Sequence, residues 1–292
     1  MMADQQRSRS NDEKPTLLVG ISNPETTGGL MDLAKSLAEH ADYEVVATHI
    51  LPVPPQAHLS SARGSGEMAA AREKLLEAIR EAGARNVRAR GVIEVAREVN
   101  EGLVSAAESQ KASLILVGYS DPGDREEDGD GERSFDRVMH AVARNTEADL
   151  VVAKLRREEV GSILLPINTG LNLAVSGMLA RAISREREAP VTLIHLLRED
   201  EEEDEARERL EANLDEEGLS DLGELVIEPL SDDVEPIDQL VEIASGYDMA
   251  IVGAEPRPSI AESVFGSWAE RVAREADCTV LLVRAKSALE EE

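Results

Sequence analysis

The sequence predicts an α/β protein built from two doubly wound, five-stranded parallel sheets that arose by tandem duplication. Three observations support this prediction. Short runs of Val, Ile and Leu alternate with longer amphipathic stretches, a pattern typical of parallel sheets with right-handed crossovers. The apolar runs recur in the same order in both halves. Aromatic residues make up only 2% of the 292 residues, so we expect a core of small aliphatic side chains.

Three pairs of similar segments indicate the duplication. They are TLLVGI at 16–21 with SILLPI at 162–167, VVATHIL at 45–51 with VTLIHLL at 191–197, and SLILVG at 113–118 with DMAIVG at 248–253. The offset is 146 residues for the first two pairs and 135 for the third, so loops changed length while the elements persisted. We therefore expect one domain at 15–155 and another at 160–286, joined by a short charged linker.

Each repeat is expected to contain five strands and four helices. Continuous apolar runs indicate strands covered on both faces, and they fall at 16–21, 44–51, 87–94, 113–118, 149–154, 162–167, 190–197, 223–230, 248–253 and 279–284. Apolar residues at helical spacing indicate helices at 25–40, 66–83, 97–110, 134–146, 171–187, 203–217, 234–246 and 266–276. Gly83 and Gly218 stand where a left-handed residue would close a helix.

The charge balance limits the partners. The chain has 59 acidic and 31 basic residues, a formal net charge of −28. Such a surface repels nucleic acid and anionic lipid and fits a basic partner. A dense carboxylate shell also keeps a protein soluble in concentrated salt, as in a halophile. Two acidic tracts, 121–132 and 199–205, are predicted to be flexible loops because like charges at this density repel.

Cysteine usage and hydropathy bear on the compartment. The one cysteine, Cys278, lies in the apolar run CTVLLV and is expected to be a buried core residue rather than a catalytic thiol. A chain with one cysteine forms no internal disulfide, which favours the cytoplasm. Membrane insertion is not expected, because no run of about 18 apolar residues occurs. Residues 1–14 are polar and are predicted to be a disordered tail.

The order of these elements resembles a universal stress protein domain, present twice, with His ending the second strand and Gly ending the fourth. The segment NPETTGGLMDLAKSLAEHADYEVVATHILPVP is further similar to modules associated with amino-acid permeases and cation antiporters. The resemblance implies an adenine nucleotide alpha hydrolase-like fold and pairing through the last strand, here as a pseudo-dimer within one chain. It also implies a membrane transporter or another protein as partner, and it leaves a further homodimer open.

Nucleotide-binding members of that family carry an aspartate after the first strand and a motif of Gly, two residues, Gly, nine residues, Gly, then Ser or Thr. Glycines let backbone N–H groups approach phosphate beside a helix N-terminus. The second repeat keeps this spacing at Gly253, Gly266 and Ser267. However, Pro256 replaces the second glycine and lacks an N–H, and Asn168 replaces the aspartate. These residues are expected to form a remnant site for ATP or another anion, or simply a turn.

The first repeat keeps less of the motif. Gly118 matches, but Asp121 takes the place of the second glycine, Asp136 and Arg137 replace Gly-Ser, and Ser22 replaces the aspartate. The first acidic tract would also repel the phosphates of ATP, so nucleotide binding is expected at most in the second repeat. The carboxylates of this acidic tract offer ligands for Mg²⁺ or Ca²⁺, but they lack the full spacing of an EF-hand.

Function is predicted to be regulatory rather than catalytic. His49 and His195 end equivalent strands, which fits a shared packing role better than a metal or acid–base role. The sequence contains no Walker-type loop, GxSxG elbow or paired-cysteine motif. The leading hypothesis is a tandem binding protein acting in stress response or on a transporter. The alternatives are a nucleotide-binding protein with slow ATP turnover in the second repeat, and a stress-induced homodimer with a solubilising acidic shell.

Overall fold

The computed structural model describes residues 14–119, 131–157, 159–168, 172–231, 233–254 and 265–286. The strands in these ranges are β1 (Thr16–Gly20), β2 (Glu44–Pro52), β3 (Ala89–Ala96), β4 (Ala112–Gly118), β5 (Asp149–Lys154), β6 (Ile163–Pro166), β7 (Val191–Leu197), β8 (Glu224–Pro229), β9 (Met249–Gly253) and β10 (Thr279–Arg284). The α-helices are α1 (Pro24–His40), α2 (Gly66–Ala84), α3 (Val99–Ser109), α4 (Gly131–Asn145), α5 (Leu173–Arg187), α6 (Glu203–Glu216), α7 (Pro236–Ser245) and α8 (Ser267–Glu275). A short 3-10 helix spans Leu59–Gly64.

All these strands form one sheet in the order β3-β2-β1-β4-β5-β10-β9-β6-β7-β8. Repeat 1 (β1–β5) and repeat 2 (β6–β10) are each parallel internally. In each repeat the chain first builds outward from its first strand and then returns to the other side, as a doubly wound sheet does. The last strands, β5 and β10, pair antiparallel. The prediction of two doubly wound sheets forming an internal pseudo-dimer is therefore confirmed.

Helices cover both faces of the sheet. Residues of α1, α2, α5 and α6 pack on one face, and residues of α3, α4, α7 and α8 pack on the other. Successive strand residues such as Leu17 and Leu18 belong to opposite cores, because side chains alternate along a strand. Cys278 is fully buried in the second core, as predicted, and burial raises the pKa of its thiol to about 11. None of the helices in the described ranges is long and apolar enough to span a bilayer.

The repeats also meet through their first helices. Glu186 of α5 lies 2.5 Å from the Lys35 ammonium and 3.0 Å from Nε2 of His40, and both partners belong to α1. Asp32 of α1 is 3.5 Å from the guanidinium of Arg187 in α5. Glu186 is 14% exposed, so water screens its ion pairs less than it screens pairs on the open surface. The two repeats therefore contact each other in the helix layer as well as in the sheet.

Two matching hydrogen-bond sets close the seam between β5 and β10. Oγ1 of Thr279 accepts the N–H groups of Arg156 and Arg157, each at 3.1 Å. In the other direction, Oδ1 of Asp149 accepts the N–H of Lys286 at 2.8 Å. Asp149 and Thr279 each begin the last strand of their repeat. Each repeat therefore holds the chain that leaves the other repeat.

Asp149→Asn is expected to stabilise the protein at neutral pH. Burial raises the pKa of the Asp149 carboxyl, against a smaller lowering by the Lys286 N–H. The ionised carboxylate therefore costs stability, and this cost appears as the pH rises through the raised folded-state pKa. Asparagine keeps the acceptor and removes the charge, so the free energy of unfolding at pH 7 should rise by roughly 1 kcal/mol or less. Urea unfolding at about pH 3 and pH 7 measures the difference, which should vanish below the pKa of the unfolded carboxyl.

The matched control for this prediction is Asp149→Ala, which removes the acceptor as well. It should lower the free energy of unfolding by about 1 kcal/mol, because the Lys286 N–H loses its partner. If the asparagine variant were also less stable than wild type at pH 7, burial of the charge would not be the dominant effect at this position.

One predicted helix end is wrong. Gly83 lies inside α2, which continues to Ala84, and the left-handed residue that follows is Asn86, with φ 61°. Asparagine tolerates this conformation better than most residues because its short polar side chain bonds locally. Gly218 does follow α6 with φ 66°, as predicted.

The prediction of a flexible loop at 199–205 is wrong for the last three of its acids, whereas 199–202 do lie outside the helices and strands. The last three acids form the first turn of α6, where carboxylates are stabilised by the positive end of the helix dipole. The Glu201 side chain is only 9% exposed and pairs with a histidine and an arginine. Local cations therefore offset the repulsion on which the prediction rested. In the other acidic tract, positions 121–130 lie outside the described residues, and Gly131 begins α4. Positions 1–13 of the predicted tail also lie outside the described residues.

Candidate ligand site of the second repeat

A cavity of about 600 Å³ opens at the carboxyl ends of β6 and β9. These neighbouring strands mark the point where the strand order of repeat 2 reverses, and open α/β sheets bind ligands at such points. The ends of β6, β7 and β9 and the N-terminal turns of α5, α7 and α8 form its walls. Asn168 and Gly253, both singled out from the sequence, line it. Its volume is typical of small-molecule sites.

The structure places the other two predicted residues beside α8. Gly266 is the buried N-cap of this helix, with φ 88° and ψ 159°, a conformation that favours glycine. Ser267 begins the helix, but its side chain lies outside the described residues, as does the whole segment 255–264 with Pro256. Trp268, the next residue, lines the cavity and is 42% exposed. The described residues therefore bring Asn168 and Gly253 to one cavity and place the start of α8 next to it.

Asn172 was not singled out from the sequence. The position of its side chain explains why β9 ends in a glycine. The Asn172 amide donates to the carbonyl of Ala254 at 2.8 Å, and its Oδ1 accepts the N–H of Ala285 at 2.8 Å. A Cβ on Gly253 would lie 3.0 Å from the Cβ of Asn172. Gly253 thus allows the start of α5 to pack against the ends of β9 and β10. Asparagine is a favoured N-cap residue, and this was the available sequence signal.

Ser176 is a second missed residue. It lies one helical turn after Asn172, lines the cavity and is 2% exposed. Its Oγ has no hydrogen-bond partner among the described residues. Burying an unpaired hydroxyl costs free energy, so this group is a donor or acceptor available for a bound molecule.

His195 forms a polar part of the cavity wall. Its Nδ1 is 3.0 Å from the carbonyl oxygen of Ile167, and its Nε2 is 2.9 Å from Oε2 of Glu201. Burial opposes ionisation of Glu201, but hydrogen bonds from His195 and Arg209 lower its pKa to about 2. Both ring nitrogens of His195 are therefore engaged with oxygen atoms of the protein.

Gln239 holds the opposite wall. It is 8% exposed, its amide donates to the carbonyl of Pro229 at 3.0 Å, and its Oε1 accepts the N–H of Ser231 at 3.0 Å. These bonds fix the start of the segment between β8 and α7. Leu230 of this segment and Pro236, the first residue of α7, line the cavity. With the two asparagine bonds and the two histidine bonds described above, buried polar side chains hold three sides of the cavity in place.

The sequence matches one family model twice. The model of the universal stress protein family covers residues 15–154 and again residues 163–284. The chain belongs to the universal stress protein family. Among curated proteins, no sequence match was found.

Solved structures share the fold of this tandem universal stress protein over almost its full length. A universal stress protein from Archaeoglobus fulgidus DSM 4304 is 13% identical with a TM-score of 0.62, and the match covers 93% of this chain and 98% of that one. The cytoplasmic domain of a prokaryotic cation chloride cotransporter is 12% identical with a TM-score of 0.64, covering 96% and 100%. A protein of unknown function from Pseudomonas aeruginosa PAO1 is 16% identical with a TM-score of 0.61, covering 95% of each chain. At these identities the likeness establishes the fold alone.

The two repeats of this universal stress protein differ at the cavity. At the 146-residue offset, Thr26 corresponds to Asn172, and a Cβ on Gly118 would lie 3.3 Å from the Thr26 hydroxyl. The first glycine of the motif therefore packs against a helix start in both repeats. Ser176, however, corresponds to Leu30, which is 1% exposed and belongs to the core. Repeat 1 thus fills with a leucine the place where repeat 2 has a hydroxyl beside a cavity.

The strand-end histidines share a contact but differ in surroundings. Nδ1 of His49 lies 2.6 Å from the carbonyl of Ile21, and His195 makes the same bond after β6, as the packing interpretation expects. Burial lowers the pKa of His49, the Ile21 bond opposes this, and nearby Lys74 lowers it further. Repeat 1 therefore disfavours a cationic ring at His49, whereas Nε2 of His195 in repeat 2 lies beside the carboxylate of Glu201.

The described residues of the cavity favour binding over proton transfer. Both nitrogens of His195 are engaged, so neither is free to take a proton from a bound molecule. The exposed Asn168 and the buried Ser176 hydroxyl are neutral polar groups on a largely apolar wall. Such a site orients a ligand without supplying an acid–base pair.

Proposed function

We propose that this chain is a non-catalytic regulatory protein in which repeat 2 binds a small molecule and repeat 1 serves as its internal partner. The observation that carries this proposal is the difference between the repeats at one position. Ser176 borders an open cavity in repeat 2, whereas Leu30 occupies the equivalent place in the core of repeat 1. Because the repeats share one sheet, a change in one repeat reaches the other through packed strands.

The proposed target of this regulation is a membrane transporter, contacted from the cytoplasm. The fold resembles the cytoplasmic domain of a cation chloride cotransporter along the full length of that domain, and the start of repeat 1 is similar to modules associated with permeases. The net charge of −28 favours a partner with a basic surface through electrostatic complementarity. A role in stress response through another basic protein follows from the same features.

The second candidate function is adenine nucleotide binding with slow ATP turnover, confined to repeat 2. It is favoured by the cavity at the switch point and by Gly266, which is the N-cap of α8 and has the positive φ that favours glycine. Against it, Pro256 removes one N–H donor and Asn168 removes the carboxylate that the family pattern places there. We propose that these changes have degraded the phosphate loop.

Calorimetry with ATP, ADP and AMP tests these two functions. If the loop is degraded, ATP should bind no more tightly than about 1 mM, equivalent to roughly 4 kcal/mol. Micromolar binding with two sites per chain would contradict the regulatory proposal. Micromolar binding at one site would establish the second candidate, provided that Gly266→Asp weakens it. Because aspartate is strained at the positive φ of Gly266, Asn168→Ala at the exposed rim serves as a second variant, with circular dichroism to verify folding.

A further inference from the structure

We propose that the cavity of repeat 2 takes a small monoanion with an apolar body in preference to a nucleoside triphosphate. This inference rests on the ligand-binding role proposed above and names the chemical class of the ligand. It follows from three features of the cavity: apolar walls, a buried hydroxyl beside three helix N-termini, and acidic residues next to its edge.

The apolar body is expected to lie against the side of the cavity formed by β7, α7 and α8. The residues there are aliphatic or aromatic, and they include Leu196, Leu230, Pro236, Leu240 and Trp268. Trp268 is an exposed large hydrophobic residue, and its flat ring offers a face for stacking. A volume of about 600 Å³ accommodates a body of one or two rings.

The negative group of the ligand is expected to lie near the other side. The first turns of α5, α7 and α8 all contribute to the wall, and the positive ends of their dipoles favour an anion. A helix terminus alone would not define a site, but the Ser176 hydroxyl is buried here with no hydrogen-bond partner among the described residues, and it can donate to a carboxylate.

A single charge fits this cavity better than several. Arg198, a wall residue, is followed at once by Glu199, Asp200 and the exposed acids at the start of α6. A triphosphate would extend its further charges toward these carboxylates and toward a surface of net charge −28, where repulsion grows with each charge. A monoanion is balanced by the interior positive groups alone.

Phenylbutyrate and its neutral analogue phenylbutyramide test the proposal, with AMP and ATP as the polyanionic comparison. Trp268 is the one tryptophan of the chain, so its fluorescence reports occupancy of the cavity, and calorimetry gives the stoichiometry. We expect one phenylbutyrate per chain and an affinity about tenfold higher than that of the amide, because the positive ends of the helix dipoles favour the charged ligand.

Variants at one position test the location. Ser176→Leu copies Leu30 of repeat 1 into the cavity and should weaken phenylbutyrate binding at least about tenfold while the melting temperature stays near that of wild type. Ser176→Ala removes only the hydroxyl and should weaken the binding of phenylbutyrate about fivefold and that of the amide less, because a hydrogen bond to a charged acceptor is stronger than one to a neutral acceptor. Ser60→Leu makes the same substitution as the first variant at an exposed position of repeat 1 and should leave affinity unchanged.

The other outcomes overturn the proposal in distinguishable ways. Equal binding of acid and amide would show that charge plays no part. Tighter binding of AMP or ATP, weakened by Ser176→Leu, would assign the cavity to nucleotides and leave a ligand-binding function intact. If none of the four compounds bound or changed the fluorescence of the wild type, both this inference and the ligand-binding role would be wrong.

Discussion

Replacing Asn172 with alanine is expected to lower the free energy of unfolding by about 3 kcal/mol. The Asn172 side chain is 8% exposed, and it bonds the end of β9 at Ala254 and the residue after β10, Ala285. Alanine would leave a carbonyl and an N–H without partners in the interior, at a cost of about 1–3 kcal/mol for each such group. Water entering the space of the lost amide would offset part of this cost.

Urea unfolding monitored by circular dichroism measures the effect. Thr26→Ala in repeat 1 is the matched control, because Thr26 occupies the equivalent position but its hydroxyl donates only to the carbonyl of Asn23 in the helix start, at 3.1 Å. That variant should lose less than about 1 kcal/mol. Similar losses in the two variants would mean that the link from α5 to β9 and β10 does not stabilise the fold as the distances indicate.

Glu201→Gln is expected to destabilise the protein by about 2–3 kcal/mol at neutral pH. It should also make the free energy of unfolding depend less on pH in the acid range. Hydrogen bonds from His195 and Arg209 outweigh burial and hold the pKa of Glu201 at about 2, against 4.5 for a free carboxyl. A depressed folded-state pKa contributes stability that is fully present above pH 4.5 and is lost as the pH falls toward 2. Glutamine still accepts a hydrogen bond, but it removes the negative charge that the hydrogen bonds from His195 and Arg209 stabilise.

Urea titrations at several pH values between about 2 and 7 test this result. The gap in unfolding free energy between wild type and Glu201→Gln should narrow as the pH falls through that window. Glu202→Gln is the control, since Glu202 is the exposed neighbour in the same acidic tract. A gap that stayed constant with pH, or an equal gap in the control, would show that the ionised pair does not provide the stability.

The side chains of Asn172 and Glu201 connect the stability of the fold with the candidate site. Asn172 fixes the α5 side of the cavity and Glu201 holds the His195 ring in its wall. A ligand that binds only the folded cavity stabilises the protein in proportion to its concentration. Both variants should therefore weaken phenylbutyrate binding as well as folding, which separates them from variants at Ser176 that act on binding alone.

Much of the architecture could be predicted because it follows from local pattern. Continuous apolar runs and helical spacing locate the elements to within a few residues, as at β7, expected at 190–197 and found at Val191–Leu197. The repeat of those runs indicates the duplication. The position of the cavity was also within reach, because Asn168 and Gly253 follow strands of a parallel sheet and such strand ends meet at one edge.

The roles of individual side chains at the site were harder to predict. The two side-chain hydrogen bonds of Asn172 reach Ala254 and Ala285, which lie 82 and 113 positions further along the chain. Nothing in the local sequence selects those partners. Gly253 was interpreted as a phosphate contact, and the sequence did not reveal that it also lies against the Asn172 side chain. Glu201 is one of seven acids in the tract. It differs from the others because it lies six residues after His195 and contacts the ring of that residue.

The sequence by itself determined the strand and helix order, the duplication and the family, because these depend on the spacing of apolar residues along the chain. Tertiary structure alone decided which side chains border the cavity described in repeat 2 and which partners those side chains have. Ser176 and Leu30 are equivalent in sequence, and so are His195 and His49, but their environments differ. Free energy at a buried polar group depends on which partners reach it, and those partners are brought together only by the packing of distant segments.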